Sequence, residues 1–515
     1  MKATDTLAPA ASRIDTEVVS PAVEEVKAAL VQEVEALVTW VLSCQHLTFF
    51  AFEIELIPRV LALGRLLVQL FLCMRAAQFQ AAHPQPEAGY KRQGPVARLL
   101  GTYFGKVRYE RIYWYRHAGG YYPLDVELGL TADGFSMPLR SLAVRIATKV
   151  SYGQAVLLLN LFLGWSPAQE SIEGMVLGLG RHTGTWFEQA PAPEGDGEVL
   201  VIQLDSKATP TATDAELEKR RGQRATNPHP GSQRHRGRAV RRRRGSKRRR
   251  KKGNKAKNGK MATIVVIYTL RKSADGSLEG PLNKKVYASY APKRHAVAIA
   301  RREADKRGFL PQSGKRIQIV TDGDNDLDRY ITEFFPEAEH TIDVYHVVEY
   351  LWKAGECLYA EGSTELQAWV ETQKAALYDG RVAEVIAELE HQLEQLDPNR
   401  VSQREHLTKI QAYLLKRQTK MEYKRLREQD LEISSGAVEG AVNYVIAKRF
   451  DSGGMRWIKE RAEALLQLRC IEVNADWEAF IAFVHDQTRA QAQQEQRNLS
   501  LKYTQPDALP TYGLT

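Results

Sequence analysis

Cysteine is scarce in this sequence. The four present, Cys44, Cys73, Cys357 and Cys470, lie far apart and form no Cys-x-x-Cys spacing. That argues against a disulfide framework or a thiolate zinc site and fits a reducing cytoplasm. Long apolar runs are also missing. The most apolar segment, Leu66–Met74, meets Arg75 before it is long enough to span a bilayer. It is expected to form one side of a buried helix, and no membrane partner is expected. The opening residues, MKATDTLAPAASRIDTEV, contain no apolar stretch of the signal-peptide kind.

Acidic residues are missing from one place only. Between Lys219 and Lys260 there are 20 Lys or Arg and no Asp or Glu. The chain as a whole holds 72 Lys and Arg against 62 Asp and Glu, so outside that segment the carboxylates are in excess. Basicity is therefore local. Its densest part comprises Arg241, Arg242, Arg243, Arg244, Lys247, Arg248, Arg249, Arg250, Lys251 and Lys252. Like charges kept together in this way call for an anion, and a nucleic-acid backbone bound without sequence preference is the expected one.

The remaining composition is that of a soluble globular protein, with 43% hydrophobic and 26% charged residues. Residues 1–20 are polar and expected to be disordered. A helical region with a break near Pro58 and a linker fill 21–95. Within 96–190, the aromatic alternation of 99–116 predicts a β-hairpin turning at HAGG. Helical spacing then leads to two short helices separated by Gly164 and Trp165. Ser166 is the expected N-cap of the second, and Ser166–Leu179 the candidate recognition helix of a helix-turn-helix.

After a linker the order changes. The run VLVIQL (199–204) predicts a strand buried on both faces that stops at Asp205. Strands at 261–270, 284–291, 315–320 and 341–346 follow, with helices after 291 and after Asp322. Three strands, helix, strand, helix, strand is the order of the ribonuclease H-like α/β fold. The core is expected over 196–346 and 431–486. A charged, all-helical insertion would occupy 347–430, and a polar disordered tail 487–515.

That order sets the ends of the first and fourth strands side by side, so Asp205 and Asp322 become neighbours. Two unpaired carboxylates repel unless a cation lies between them, and Mg²⁺ suits oxygen ligands and a phosphate substrate. Glu439, one turn into a helix that Ser434 or Ser435 would cap, is the best third ligand. Small residues around it permit close approach. Taken singly, an aspartate at a strand end is ordinarily a cap or turn former, and in TDGD either Asp322 or Asp324 is available as the second ligand. A calcium loop is excluded, since Asp324, Asp326 and Asp328 lack the glycine and glutamate it needs. Lys448, Arg449 and Arg456 follow Glu439 and could grip a DNA backbone.

The motifs QLDSKATP, TDGDNDL and SSGAVEGAVNYVIAKRFDSGGMRW, with DVYHVVEYLW (343–352), resemble the bacterial ISKra-type insertion-sequence transposases. These are DDE enzymes related to the eukaryotic Mutator-like transposases. The resemblance covers roughly residues 100–485, and two features depart from it: the first motif reads DSK where many relatives have DGK, and the segment after it is unusually long and arginine-rich. It implies Asp205, Asp322 and Glu439 as ligands of two Mg²⁺ or Mn²⁺ ions, with Asp343 and His346 as an auxiliary pair. His346 would position a phosphate or assist proton transfer. The implied activity is cleavage and joining of double-stranded DNA at element ends and target by a homo-oligomer, in the nucleoid of a bacterial cytoplasm. Two alternatives stay open: a non-catalytic nucleic-acid-binding protein descended from a transposase, and a ribonuclease H-like nuclease or resolvase.

Overall fold

The computed structural model describes residues 20–117, 119–213, 215, 259–451 and 455–498. The cations Arg241–Arg244, Lys247–Arg250, Lys251 and Lys252, the first residues and those past Asn498 lie outside them. The chain is mixed α/β and divides into two compact units. Of the described residues, one comprises those up to Leu179 together with Glu478–Asn498. The other is Gly180–Trp477.

In the first unit, α1 (Pro21–Ser43) and α2 (Phe49–Ala82) pack on a hairpin of β1 (Lys91–Thr102) and β2 (Gly105–Arg116). The helix break falls at Cys44–Thr48, where Thr48 caps α2 by accepting from the Ala51 amide at 3.3 Å. Pro58, expected to mark the break, lies inside α2. A helix this long absorbs the one backbone bond a proline removes. The hairpin turns at Tyr103 and Phe104, and the positive φ of Gly105 (115°) makes that tight reversal possible. The expected reversal at HAGG is present as well: β2 pairs antiparallel with the short β3 (Gly119–Tyr121). The turn at Tyr103 and Phe104 was not expected, because alternation runs unbroken across its two residues.

Leu66–Met74 is not one side of a buried helix throughout: Leu72 and Cys73 are buried, but Leu67, Phe71 and Met74 are exposed. By length and composition α2 is long and apolar enough to cross a membrane. Only 11% of its most apolar window is buried, so most of that surface faces outward.

The unit continues through α3 (Pro123–Glu127), α4 (Met137–Lys149), α5 (Tyr152–Leu163) and α6 (Gln169–Gly180). A Ser151–Gln154 capping box opens α5, and left-handed Gly164 closes it. The break before α6 spans 164–168, and the Ser166 hydroxyl donates to the Pro167 carbonyl at 2.8 Å, so Ser166 is not the cap. The last helix of the chain also belongs to this unit. It runs from Trp477 to Asn498, so residues 487–498 are helical where a disordered tail was expected.

The second unit, after α7 (Thr183–Gln189), is built on a five-stranded sheet. Its strands are β4 (Val199–Pro210), β5 (Gly259–Lys272), β6 (Leu278–Ser289), β7 (Arg316–Thr321) and β8 (Glu339–Ile342). The order is β6-β5-β4-β7-β8, antiparallel across β6, β5 and β4 and parallel across β4, β7 and β8. Leu200, Ile202 and Leu204 of β4 pack under α8 (Lys293–Lys306) and α9 (Asn325–Phe334). Five helices follow: α10 (Val344–Leu358), α11 (Thr364–Tyr378), α12 (Val382–Gln395), α13 (Val401–Lys416) and α14 (Tyr423–Glu428). They enclose a core of their own around Leu351, Val370, Leu389 and Leu407. The chain then returns to the sheet with α15 (Gly436–Ala441), a π-helical stretch Val442–Ala447 and a last turn to Phe450. Finally, α16 (Lys459–Val473) packs on β6, where buried Glu463 accepts the Tyr290 amide at 2.6 Å.

Candidate carboxylate site

Parallel pairing of β4 with β7 ends at Leu204 opposite Thr321, so Asp205 and Asp322 come next on neighbouring strands. Asp322 lies just past the end of β7, but β4 does not stop at Asp205 as expected: it runs on to Pro210 as the antiparallel partner of β5, with Asp205 opposite Ile264. Glu439 reaches them by a long-range cap. The buried Gln203 side chain accepts the Val438 amide at 3.0 Å and donates to the Ser434 carbonyl at 3.1 Å. One turn away, Gln318 of β7 clasps the Glu432 backbone, donating to its carbonyl at 2.7 Å and accepting from its amide at 3.0 Å. Two buried amides, one on each central strand, therefore tie the start of α15 to the strand ends. Sequence inspection missed both glutamines. Their only signal is a glutamine within each of two otherwise apolar strands, where a polar group demands a partner.

Ser435 occupies the N-cap position of α15 without capping it. Its hydroxyl donates instead to Asp343 at 2.6 Å, leaving only a long 3.4 Å contact with Glu439. Asp343 is buried and is itself the N-cap of α10, accepting the Tyr345 amide at 3.0 Å. It thus joins the start of the helical insertion to the returning chain, a positioning task. Strand β8 stops at Ile342, so His346 lies in the first turn of α10, not at a strand end. Its ring is edge-on to Tyr350 at 5.1 Å and contributes to the field at Asp205.

Asp322 and Asp324 differ sharply in their partners. Asp324 caps α9 by accepting the Asp326 and Leu327 amides and pairs with Lys293 at 2.6 Å. Burial works against its charge, but the Lys293 bond and these amides outweigh that and hold its carboxyl below the usual range. Among the described residues, the Asp322 carboxylate accepts only the Asp324 amide, at 3.0 Å. Lys207, the cation nearest Asp205 in sequence, pairs with Asp451 at 3.3 Å. Among the described residues, no Lys or Arg stands within ion-pair distance of Asp205, Asp322 or Glu439. Burial, followed by the charges of Asp322 and Glu439, raises the Asp205 carboxyl above its ordinary value, although the Ser206 amide opposes the shift.

Carboxylate oxygens in mutual repulsion suit a hard divalent cation. As placed, they do not close around one: among the described residues no three His, Cys, Asp or Glu side chains cluster as a ready ligand set. The donor chemistry fits Mg²⁺ or Mn²⁺, and closing the set would require exposed Glu439 to turn inward.

The cations after Glu439 separate. Arg449 is buried, stacked on Trp457 at 4.8 Å and bonded to Met455 Sδ, so it supports the fold and offers no face to DNA. Lys448 and Arg456 are exposed. In the first unit, α6 buries Ile172, Met175, Val176 and Leu179 and carries Glu170 and Glu173 with no Lys or Arg. Its buried face thus packs in the first unit, and its exposed face includes Gln169, Glu170 and Gly174.

No family model matches the chain, and comparison with curated proteins gives no match.

Proposed function

We propose that this chain is a DDE-type transposase of the ISKra-like kind its motifs resemble. It would cleave and join double-stranded DNA by metal-dependent phosphoryl transfer, with a ribonuclease H-like core. The observation that carries this reading is the shared field of Asp205, where β4 parts from β7, Asp322, just past β7, and Glu439 of α15, with no Lys or Arg within ion-pair distance of them among the described residues. The strand order, with three antiparallel strands followed by two parallel ones, supports the same core.

Asp205, Asp322 and Glu439 would hold Mg²⁺ or Mn²⁺, two ions by the family resemblance, which supply an activated oxygen nucleophile and charge balance at the leaving oxygen. The strands fix the two aspartates relative to each other. Gln203, Gln318, Ser435 and Asp343 orient the helix that brings Glu439. His346, half-buried near Asp205, is suited to hold a phosphate oxygen or move a proton beside it. The arginine-rich segment would hold DNA, and copies of the chain would assemble on it in the bacterial nucleoid.

The test is cleavage and joining of DNA bearing the element ends. Asp205→Asn, Asp322→Asn and Glu439→Gln should each abolish both steps in Mg²⁺ or Mn²⁺ while DNA binding persists. Undiminished cleavage by all three would overturn the reading. A second reading, a non-catalytic nucleic-acid binder, is favoured by the open ligand set and the cationic segment. It expects binding but no cleavage by the unmodified chain.

A further inference from the structure

At the same edge of the sheet as the carboxylates lies a cleft of about 380 Å³, walled in part by Lys260, Lys293, Lys459, Thr263 and Tyr330. Its three lysines come from three separate elements: the start of β5, the first residue of α8 and the first residue of α16. Lys293 is balanced by Asp324. Lys260 and Lys459 have no carboxylate within ion-pair distance among the described residues. The one carboxylate in the wall, Asp326, is 64% exposed and lies 3.7 Å from Arg329.

Lys260 is exposed and Lys459 half-buried, so water solvates both, but together they make the local potential favourable to an anion. The N-cap residues of α8 and α16, Pro292 and Ile458, provide no side-chain cap, and Pro292, Lys293 and Lys459 line the cleft. Tyr330 and the 45% exposed Met261 add an apolar wall beside the charges. A lone inorganic anion has no use for such a wall, whereas a nucleotide unit presents phosphate and apolar ring together.

The cleft is tied to the carboxylates on both sides. Thr263 Oγ1 is 3.0 Å from the hydroxyl of Ser206, which follows Asp205 in β4 but projects from the other face of the sheet, and Lys293 bonds Asp324, two residues past Asp322. Lys260 is also the last cation of the arginine-rich segment. We propose that this cleft seats a phosphodiester of a nucleic-acid strand passing the carboxylates, with Lys260 and Lys459 on its oxygens. The proposal rests on the nucleic-acid reading above and names where the strand lies.

The full chain should be acetylated at its lysines in EDTA, where no metal-dependent step occurs, and each site's rate read by mass spectrometry. A duplex should slow Lys260 and Lys459 several-fold, while inorganic phosphate at equal phosphate concentration leaves them unchanged. Equal rates with and without duplex overturn the proposal, and protection by inorganic phosphate alone reduces the cleft to a small-anion site and overturns it too. In parallel, Lys260→Gln/Lys459→Gln should flatten the slope of log affinity against log salt by about 1.8, at about 0.9 for each phosphate no longer neutralised. An unchanged slope counts against it equally. Neither measurement uses cleavage, so failure of the catalytic reading leaves a distinct signature: triad variants that still cut, with this footprint intact.

Discussion

The phenol of Tyr413, on the last turn of α13 in the insertion, donates a 2.7 Å hydrogen bond to the backbone carbonyl of Asp322. One helical turn on, buried Arg417 donates to the carbonyl of Gly323 and, at 2.9 Å, to Asn325 Oδ1. Its guanidinium also stacks on the Tyr413 ring at 4.2 Å. The helical insertion thus holds the turn that presents Asp322. Tyr413→Phe should cost about 1 kcal/mol of stability, as one net hydrogen bond does, and should raise the Mn²⁺ concentration needed for half-maximal cleavage. Recovery at high Mn²⁺, which Asp322→Asn should not show, would mark a positioning role. An unshifted Mn²⁺ dependence would show that the bond does not set the carboxylate.

Gly323 sits in the left-handed region (φ 79°), and a Cβ there would meet the Tyr413 hydroxyl at 2.5 Å and Arg417 Nε at 2.7 Å. Gly323→Ala should therefore be destabilising by about 1–3 kcal/mol, from backbone strain with the clash added. Urea denaturation of the two proteins measures it. A loss below that of Tyr413→Phe would mean that the turn relaxes freely.

Gln203 satisfies groups on three other residues: the Val438 amide, the Ser434 carbonyl and the Tyr268 hydroxyl at 3.1 Å. Gln203→Leu keeps the volume but strands the first two as buried polar groups, at about 1–3 kcal/mol each if they stay dry. Cleavage should fall further than stability alone explains, because α15 loses its tie to β4 and carries Glu439 with it. Gln203→Glu is the sharper comparison. It can still accept from Val438 but cannot donate to Ser434, so its activity should lie between that of the native chain and Gln203→Leu.

Asp324→Asn removes the Lys293 ion pair yet keeps an N-cap of comparable quality. It should lower stability by no more than about 1 kcal/mol, as a partly exposed pair would, and retain substantial cleavage. An inactive but folded Asp324→Asn beside an active Asp322→Asn would exchange their roles.

The strands of the second unit were legible because burial on both faces writes continuous apolar runs, such as Val199–Leu204, and the end of a run marks where a functional group can emerge. Asp322 does follow the end of its strand, but Asp205 ends only the apolar run, because β4 continues to Pro210 beside β5. The boundary at Asp343 was not legible: TIDVYH reads equally well as strand or helix start, and only the Tyr345 amide on its carboxylate decides. Arg449 looked like a surface cation because sequence gives charge but not the indole of Trp457 that covers it. The clasps from Gln203, Gln318, Tyr413 and Arg417 are long-range, and each includes a bond to a backbone carbonyl that has no side-chain signature. In the first unit, aromatic alternation continued straight through a two-residue turn, so Gly105 was the one local sign of the reversal.

His340 is the group through which acid should weaken the second unit. It is buried beneath Thr321, which it meets at 2.9 Å, and Asp328, Lys420 and Arg417 surround it. Burial first, then the positive charges of Lys420 and Arg417, push its pKa down to about 4, and Asp328 at 3.6 Å opposes them without prevailing. The imidazole is therefore neutral in the folded chain at neutral pH, and the Asp328 contact is not an ion pair there. An unfolded chain takes up this proton near pH 6.5, whereas the folded one resists until about 4. Stability from the neutral ring is thus complete above about 6.5 and is lost as pH falls toward 4, by up to roughly 3 kcal/mol at about 1.4 kcal/mol per unit. Urea midpoints measured between pH 7 and pH 4.5 should decline, and His340→Gln, which cannot titrate, should decline less steeply. Parallel declines in the two proteins would place the acid sensitivity in the carboxylates and leave His340 a neutral bystander.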